Sequence, residues 1–257
     1  MRRILCLVCA LLGITTIGAR QRQNFDADWL FMLADSAQMA EVDYDDSHWR
    51  RLNVPHDWAR EGDFYVGNPS GASGGALPGG VGWYRKKFEV RGLKNEVFFL
   101  EFDGVYMNST VYVNGQKVGF RPYGYSSFEY DITSYLKEGE NMVAVRVDNS
   151  DQPNSRWYSG CGIYRHVWLT KTHPVHVAHW GTNVVSTVSK GKGKVSIEVT
   201  LEGKGTVENT LLDPKGKEIG RAFVVRRFVT SRMAPCCTRS TRNRPSHWAT
   251  MCRWDTT

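Results

Sequence analysis

The chain of 257 residues, 41% of them apolar, is long enough to bury a core as one large β domain or two smaller ones. Its formal net charge of +7 is confined to the C-terminal stretch: Arg221–Thr257 holds eight arginines, no lysine and one acid, leaving 25 basic and 25 acidic residues before it. A neutral body presents no basic face, which excludes nucleic acid as the expected partner.

Met1–Ala19 begins with Arg2 and Arg3, continues as an apolar run from Ile4 to Ile17 and ends in Gly18 and Ala19. This is the layout of a secretory signal, too short for a membrane span, with cleavage expected after Ala19. A short anchor or a lipid on Cys9 ranks lower, because Leu7 and Val8 fit a lipoprotein signal poorly. A periplasmic or secreted product with no membrane contact after cleavage is expected. Of the six cysteines only Cys161 lies between signal and tail, so internal disulfides cannot support the body.

Asn24–Leu33 reads as an opening strand, and "DYDDSHWRRLNVPHDW" follows with turn chemistry at Asp45 and Asp46 and an X-Pro break at Val54-Pro55. The glycine-rich stretch from Asn68 leads into "VGWYRKKF". Val97–Phe102 alternates around Glu101, and Thr110–Val113 runs into Asn114-Gly115, a hairpin turn, with return at Gln116–Val118. Phe128–Ile132 precedes the turn "KEGEN", and Met142–Val147 puts Val143, Val145 and Val147 on one face. Short strands joined by turns, without a helical period from Val81 to Leu169, predict an all-β antiparallel sandwich.

A second β unit is expected from about Pro174, where Val195, Ile197, Val199 and Leu201 alternate and "LLDPKGKE" supplies a turn. "SKGKGK" reads as a hairpin tip. Past Gly220 lysine disappears, arginine rises and three cysteines enter. That switch reads as an out-of-frame, disordered tail over 221–257, with a native basic or metal-binding tail as the lesser reading.

Five stretches then fit one pattern: "VPHDW", "GASGGALPGGVGWYRKKF", "EFDGVYMNSTVYVNGQKVG", "YGYSSFEYDIT" and "SRWYSGCGIYRHVWL". Together they resemble the N-terminal sugar-binding domain of family 2 glycoside hydrolases, most closely the exported β-galactosidase-like members, over about Asn24–Thr170. The resemblance implies a jelly-roll (galactose-binding-like) β-sandwich over 24–172. It also implies part of an immunoglobulin-like β-sandwich over 173–220, then a catalytic barrel that this sequence does not contain. Retaining glycosidases need two carboxyls roughly 5 to 5.5 Å apart, and in the family both come from the barrel. No catalytic residue is therefore assigned, the chain alone is expected to be inactive, and its expected partner is a β-galactoside or related glycan. Asp45 with Asp46 and Glu138 with Glu140 read as solvated turn carboxylates. An incomplete second sandwich is expected to expose strand edges and to be lost to aggregation or proteolysis beyond Pro174.

In the family, loops of this domain help to shape the sugar pocket. Asn68, Gly74, Gly75, Gly79 and Gly80 are candidate sugar-contacting positions, because glycines let backbone amides approach hydroxyls; a merely long, mobile loop is the equal alternative. Asn154, Arg156 and Trp157 form the second candidate group: an aromatic face packs on sugar C–H bonds while Asn and Arg bond hydroxyls. Tyr164 and Arg165 read rather as packing at the seam with the next domain. His56 and Asp57 are either pocket-edge groups or, preferably, a turn in which Asp57 caps amides and Trp58 fills the core. His173, His176 and His179 would point apart on a strand, so no metal site is assigned. No cofactor is expected in this chain, although the resemblance leaves room for a divalent or sodium ion in the intact family enzyme. Cys161 reads as a buried, inert thiol. A free-standing carbohydrate-binding module and an interaction domain docking a separate barrel remain alternatives.

Overall fold

The computed structural model describes residues 20–154, 157–190 and 192–227, with backbone alone for 222–227 and for short stretches at 238–239 and 250–255. Ten strands build the first unit. They are β1 (Gln21–Asn24), β2 (Trp29–Leu33), β3 (Arg50–Leu52), β4 (Gly80–Val90), β5 (Val97–Phe102), β6 (Ser109–Val113), β7 (Gln116–Arg121), β8 (Phe128–Asp131), β9 (Gly139–Asn149) and β10 (Val167–Thr172). A four-stranded sheet in the order β1-β10-β5-β8 faces a six-stranded sheet in the order β3-β2-β4-β9-β6-β7. All pairings are antiparallel, and the expected β-sandwich is what the chain adopts.

Alternation accounts for the main core. Val143, Val145 and Val147 of β9, Tyr84 of β4, Leu100 and Phe102 of β5 and Val111 and Val113 of β6 all point between the sheets and are fully buried. What the sequence does not announce is that β9 is covered on its other face as well. Met142 and Ala144 pack with Trp83, Met39, Ala40 and Trp49 in a second cluster, formed because the segment between β2 and β3 folds back across the sheet. Trp83 stacks on Tyr112 there, with centroids 5.7 Å apart.

Three sequence-based expectations change. Asn24–Leu33 is two strands in two different sheets, because the chain turns through Asp28 at φ 58° with its amide held by Asn53 Oδ1. The acids at 45 and 46 are not both solvated: Asp46 Oδ2 receives Arg85 Nε at 2.7 Å, and Arg85 is 1% exposed. The same guanidinium donates to the carbonyls of Met39 and Glu41 at 2.6 and 2.8 Å. Glu138 likewise is used, accepting from the amides of Gly92 and Leu93, while Glu140 pairs with Lys87. Tyr164 does not pack the seam; its hydroxyl donates to Gly124 O at 2.8 Å within the first unit.

The second unit comprises β11 (His176–Ser189), β12 (Lys192–Glu202), β13 (Lys204–Leu212) and β14 (Glu218–Arg227), with β15 (Thr238–Arg239) on β12 and β16 (Thr250–Asp255) on β13. Among the described residues its core is formed by Ile197, Val199, Leu201 and Val207 with Val175, Val177 and Val195. The composition change at Gly220 does not coincide with a structural boundary, since β14 runs through it to Arg227 in register with β13. Asp213 builds the expected turn by accepting from the amides of Lys215 and Lys217. Val184, Val185 and Val188 stay exposed.

Removing the guanidinium that ties the outer cover to the sheet leaves Asp46 and two carbonyls without their donor. Arg85→Ala is expected to cost about 3–5 kcal/mol in urea unfolding followed by tryptophan fluorescence. Arg85→Lys should recover only part, because an ammonium cannot fork between carboxylate and carbonyls.

Candidate functional site

Two segments meet at one end of the sandwich: the glycine-rich loop before β4 and the connection from β9 to β10. The loop is closed on itself. Tyr65 N donates to Ala76 O and Ala76 N to Gly71 O, while Ser70 Oγ donates to Leu77 O. Asn68 Nδ2 donates to Asp63 O and Ala76 O at 3.1 and 2.8 Å, so its amide nitrogen braces the loop from within. Gly74 and Gly75 form and follow a single 3-10 turn over Ala72–Gly74. At Gly79 a Cβ would lie 2.5 Å from Asn149 O, and Gly80 has φ 105°. The glycines thus let the loop press onto the end of β9.

The facing segment is anchored by Asn149, 1% exposed, which donates to Gly160 O at 3.1 Å and to Cys161 Sγ at 2.9 Å. Asn154 Nδ2 in turn donates to Asn149 Oδ1 at 2.6 Å, and Asn154 Oδ1 accepts from Tyr106 OH at 3.1 Å. Trp157 is 70% exposed and borders, with Ser70, Leu77, Pro78, Asn149 and Tyr158, a depression of about 10 Å³. Arg156 lies outside the described residues. The structure therefore brings Gly74 and Trp157 to one depression, places Asn154 and Gly79 against the same wall through Asn149, and turns Asn68 inward.

The strap "VPHDW" locks this corner from behind. His56 N donates to Ile163 O and Trp58 N to Cys161 O. Asp57 Oδ1 accepts from Ala59 N at 3.1 Å and Cys161 N at 2.9 Å, and Trp58, 3% exposed, donates its indole N–H to Gly79 O. Both halves of the preferred turn reading are present. His56 is enclosed as well: Nδ1 is 2.7 Å from Tyr84 OH, and Nε2 is 2.9 Å from Arg50 and 3.3 Å from Glu61. Burial lowers its pKa, opposed by Glu61. Burial raises Asp57, opposed by its two amide donors. The Cys161 thiol is pushed up to about 12 by burial, in keeping with an inert role. Sequence reasoning missed Asn149 and Tyr84; Asn149 carries no local motif, Tyr84 sits unremarked within "VGWYRKKF", and each matters through partners distant in the chain.

Chemically, the corner offers an aromatic face, backbone polar groups and amides. The residues bordering the depression include no carboxylate, and the neighbouring Asp57 is committed to two backbone amides. Such a surface can hold a polar, ring-shaped ligand against Trp157, and no carboxylate is among the described residues that border it.

Residues 23–173 match the family model described as the sugar binding domain of glycosyl hydrolases family 2. A β-galactosidase of Bacteroides ovatus is 54% identical over 212 residues, covering 79% of this chain and 25% of that protein. A β-galactosidase of Thermoanaerobacter pseudethanolicus is 32% identical over 198 residues, covering 70% of this chain and 25% of that protein. Among solved structures, a β-glycosidase from Bacteroides vulgatus superposes with a TM-score of 0.76 at 36% identity, covering 83% of this chain and 29% of that one. The β-glucuronidase of Bacteroides uniformis gives 0.73 at 26% identity, covering 85% and 28%. The chain thus spans about a quarter of the length of the curated relatives it matches.

Asp57 offers a test of the corner. Its folded pKa is raised above that of the unfolded chain, so its contribution to stability is full below the unfolded value near 3.8 and falls as pH rises through the folded value. Asp57→Asn keeps an acceptor at Oδ1 and removes the buried charge. In thermal melts it should match or exceed the parent at pH 7, with the difference closing toward pH 4. Asp57→Ala should lose about 1–3 kcal/mol by orphaning the amides of Ala59 and Cys161.

Proposed function

The chain belongs to glycosyl hydrolase family 2 through its sugar-binding domain, and from that premise we propose that it is the carbohydrate-contacting part of an exported β-galactosidase-like glycosidase. The single observation that carries this is the corner itself, where an exposed indole stands beside a braced, glycine-rich wall. An indole face covers the C–H side of a pyranose, and the surrounding amides and carbonyls suit its hydroxyls. Galactosides are the substrate class, by analogy with the β-galactosidases of Bacteroides ovatus and Thermoanaerobacter pseudethanolicus. Export follows from the leader-like Met1–Ala19.

A depression of about 10 Å³ is room for one water, whereas a small-molecule pocket needs roughly 300 Å³ or more. The chain supplies one wall of a sugar site, and the acid and nucleophile of a two-step retaining hydrolysis have to come from elsewhere. Binding by the chain alone is therefore weak, with Kd on the order of millimolar, about −4 kcal/mol.

A second reading, docking of this domain onto a separate catalytic partner, is favoured by Phe64, Tyr65 and Val66, which are 79%, 64% and 81% exposed on the loop next to the corner. Three adjacent bared apolar residues are more than isolated surface hydrophobics.

Titration of the chain with galactose and lactose, followed by tryptophan fluorescence and calorimetry, should saturate in the millimolar range and weaken at least about threefold on Trp157→Ala. A chromogenic β-galactoside should give no turnover. Absence of any saturable sugar binding would leave the docking reading, and enzyme-like turnover by contaminant-free protein would overturn both.

A further inference from the structure

Glu101 on β5 and Glu129 on β8 are register partners, two carboxylates directly opposite on one sheet face, a pairing that destabilises a sheet unless something positive intervenes. Both are nearly buried, their side chains 5% and 10% exposed. His179 of β11 reaches them from the second sandwich: Nδ1 lies 3.3 Å from Glu129 Oε2, and Nε2 lies 3.9 Å from Glu101 Oε1. We propose that Glu101, Glu129 and His179 form a divalent-cation site, with zinc the best fit, that joins the two sandwiches.

Three independent observations support it. One ligand atom from each residue lies within 4.8 Å of the others. With metal–ligand bonds of about 2.0–2.2 Å, two ligands stand about 3.4 Å apart at a tetrahedral angle and about 4.2 Å apart across a linear one. The observed 3.9 Å falls between these, so an ion fits with small side-chain rotations. Second, His179 Nε2 is shut off from solvent and has no hydrogen-bond partner, which leaves a ring nitrogen available as a ligand next to Glu101. Third, the arginines do not complete the charge balance. Arg20 and Arg22 each take an Oε2 atom, at 2.9 and 3.0 Å, and Arg22 also reaches Asp103 at 3.6 Å. Against these two cations stand Glu101, Glu129 and Asp103, with Asp131 and Glu202 lining the adjoining cleft of about 430 Å³.

His176 is engaged elsewhere, its Nδ1 2.9 Å from His173 O and its ring edge-on to Phe99; the cleft leaves room for water as remaining ligands. Two of the three ligands come from the first sandwich and one from the second, so the ion adds a link where the chain otherwise crosses on a short connection after Thr172. An imidazole with two carboxylates suits zinc better than calcium or magnesium, which favour all-oxygen shells.

The test is equilibrium dialysis of the metal-stripped full chain against zinc at pH 7.5, with cobalt(II) absorption to identify donor atoms. Retention of one zinc per chain at about 10 μM free metal is expected, with a higher melting temperature. Cobalt should give weak visible bands without a near-ultraviolet thiolate band, and His179→Asn and Glu129→Gln should each lower affinity at least about tenfold. Variants are compared after circular dichroism shows native strand content; if neither folds, the wild-type dialysis and cobalt spectrum decide. No zinc retained overturns the proposal. A thiolate band that persists in His179→Asn assigns the ion to the cysteines near the C-terminus and overturns it too. A melting temperature that tracks pH between 5.5 and 7.5 through His179 but ignores zinc means that a proton, not a metal, fills the place.

Discussion

One carboxylate oxygen, Asp57 Oδ1, holds the functional corner together. It accepts from the amide of Ala59, which sets the strap, and from the amide of Cys161, 104 residues further along. Through the second bond the strap fixes the connection from β9 to β10, and through Trp58 and its bond to Gly79 O it fixes the glycine-rich loop. That oxygen reinforces the backbone bonds by which His56 and Trp58 already tie the strap to Ile163 and Cys161. The cost is a buried charge, visible in the raised pKa of Asp57. It is tolerated because two amides otherwise lacking acceptors point at it.

The arrangement also explains how a wall for a sugar can be rigid while carrying little regular structure. Asn149 and Asn154 consume one another's polar atoms and those of Gly160 and Tyr106, leaving the indole of Trp157 outermost. Pre-positioned aromatic surface loses little freedom when a ligand binds.

Much of this was legible locally. Val97–Phe102 and the Asn114-Gly115 hairpin stand where alternation and turn chemistry put them, and "VPHDW" was read as a cap followed by a core tryptophan. What escaped was nonlocal. Asn24–Leu33 carries turn residues beside its large apolar ones, but nothing local says that the turn at Asp28 moves the chain from one sheet to the other. Asp46 reads as a surface acid until Arg85, 39 residues away, is found beneath it. The expectation that the histidines at 173, 176 and 179 point apart fails for two of them, because the irregular register of β11 lets His176 and His179 line one cleft beside Glu129; His179 matters because two glutamates of the other sandwich face it. The glycines are legible as a loop that either approaches a ligand closely or is merely long and mobile; the approach of Gly79 to Asn149 needs the fold.

Strand β3 closes one side of the six-stranded sheet with only three residues, two of them exposed arginines, Arg50 and Arg51. A neighbouring molecule that tried to add a strand there would have to strip water from both guanidinium groups for at most a few backbone bonds. The first sandwich is therefore protected from self-association along that border, whereas the bared valines of β11 carry no such guard. Crowded, concentrated solutions should clump through the second unit and leave the first one intact.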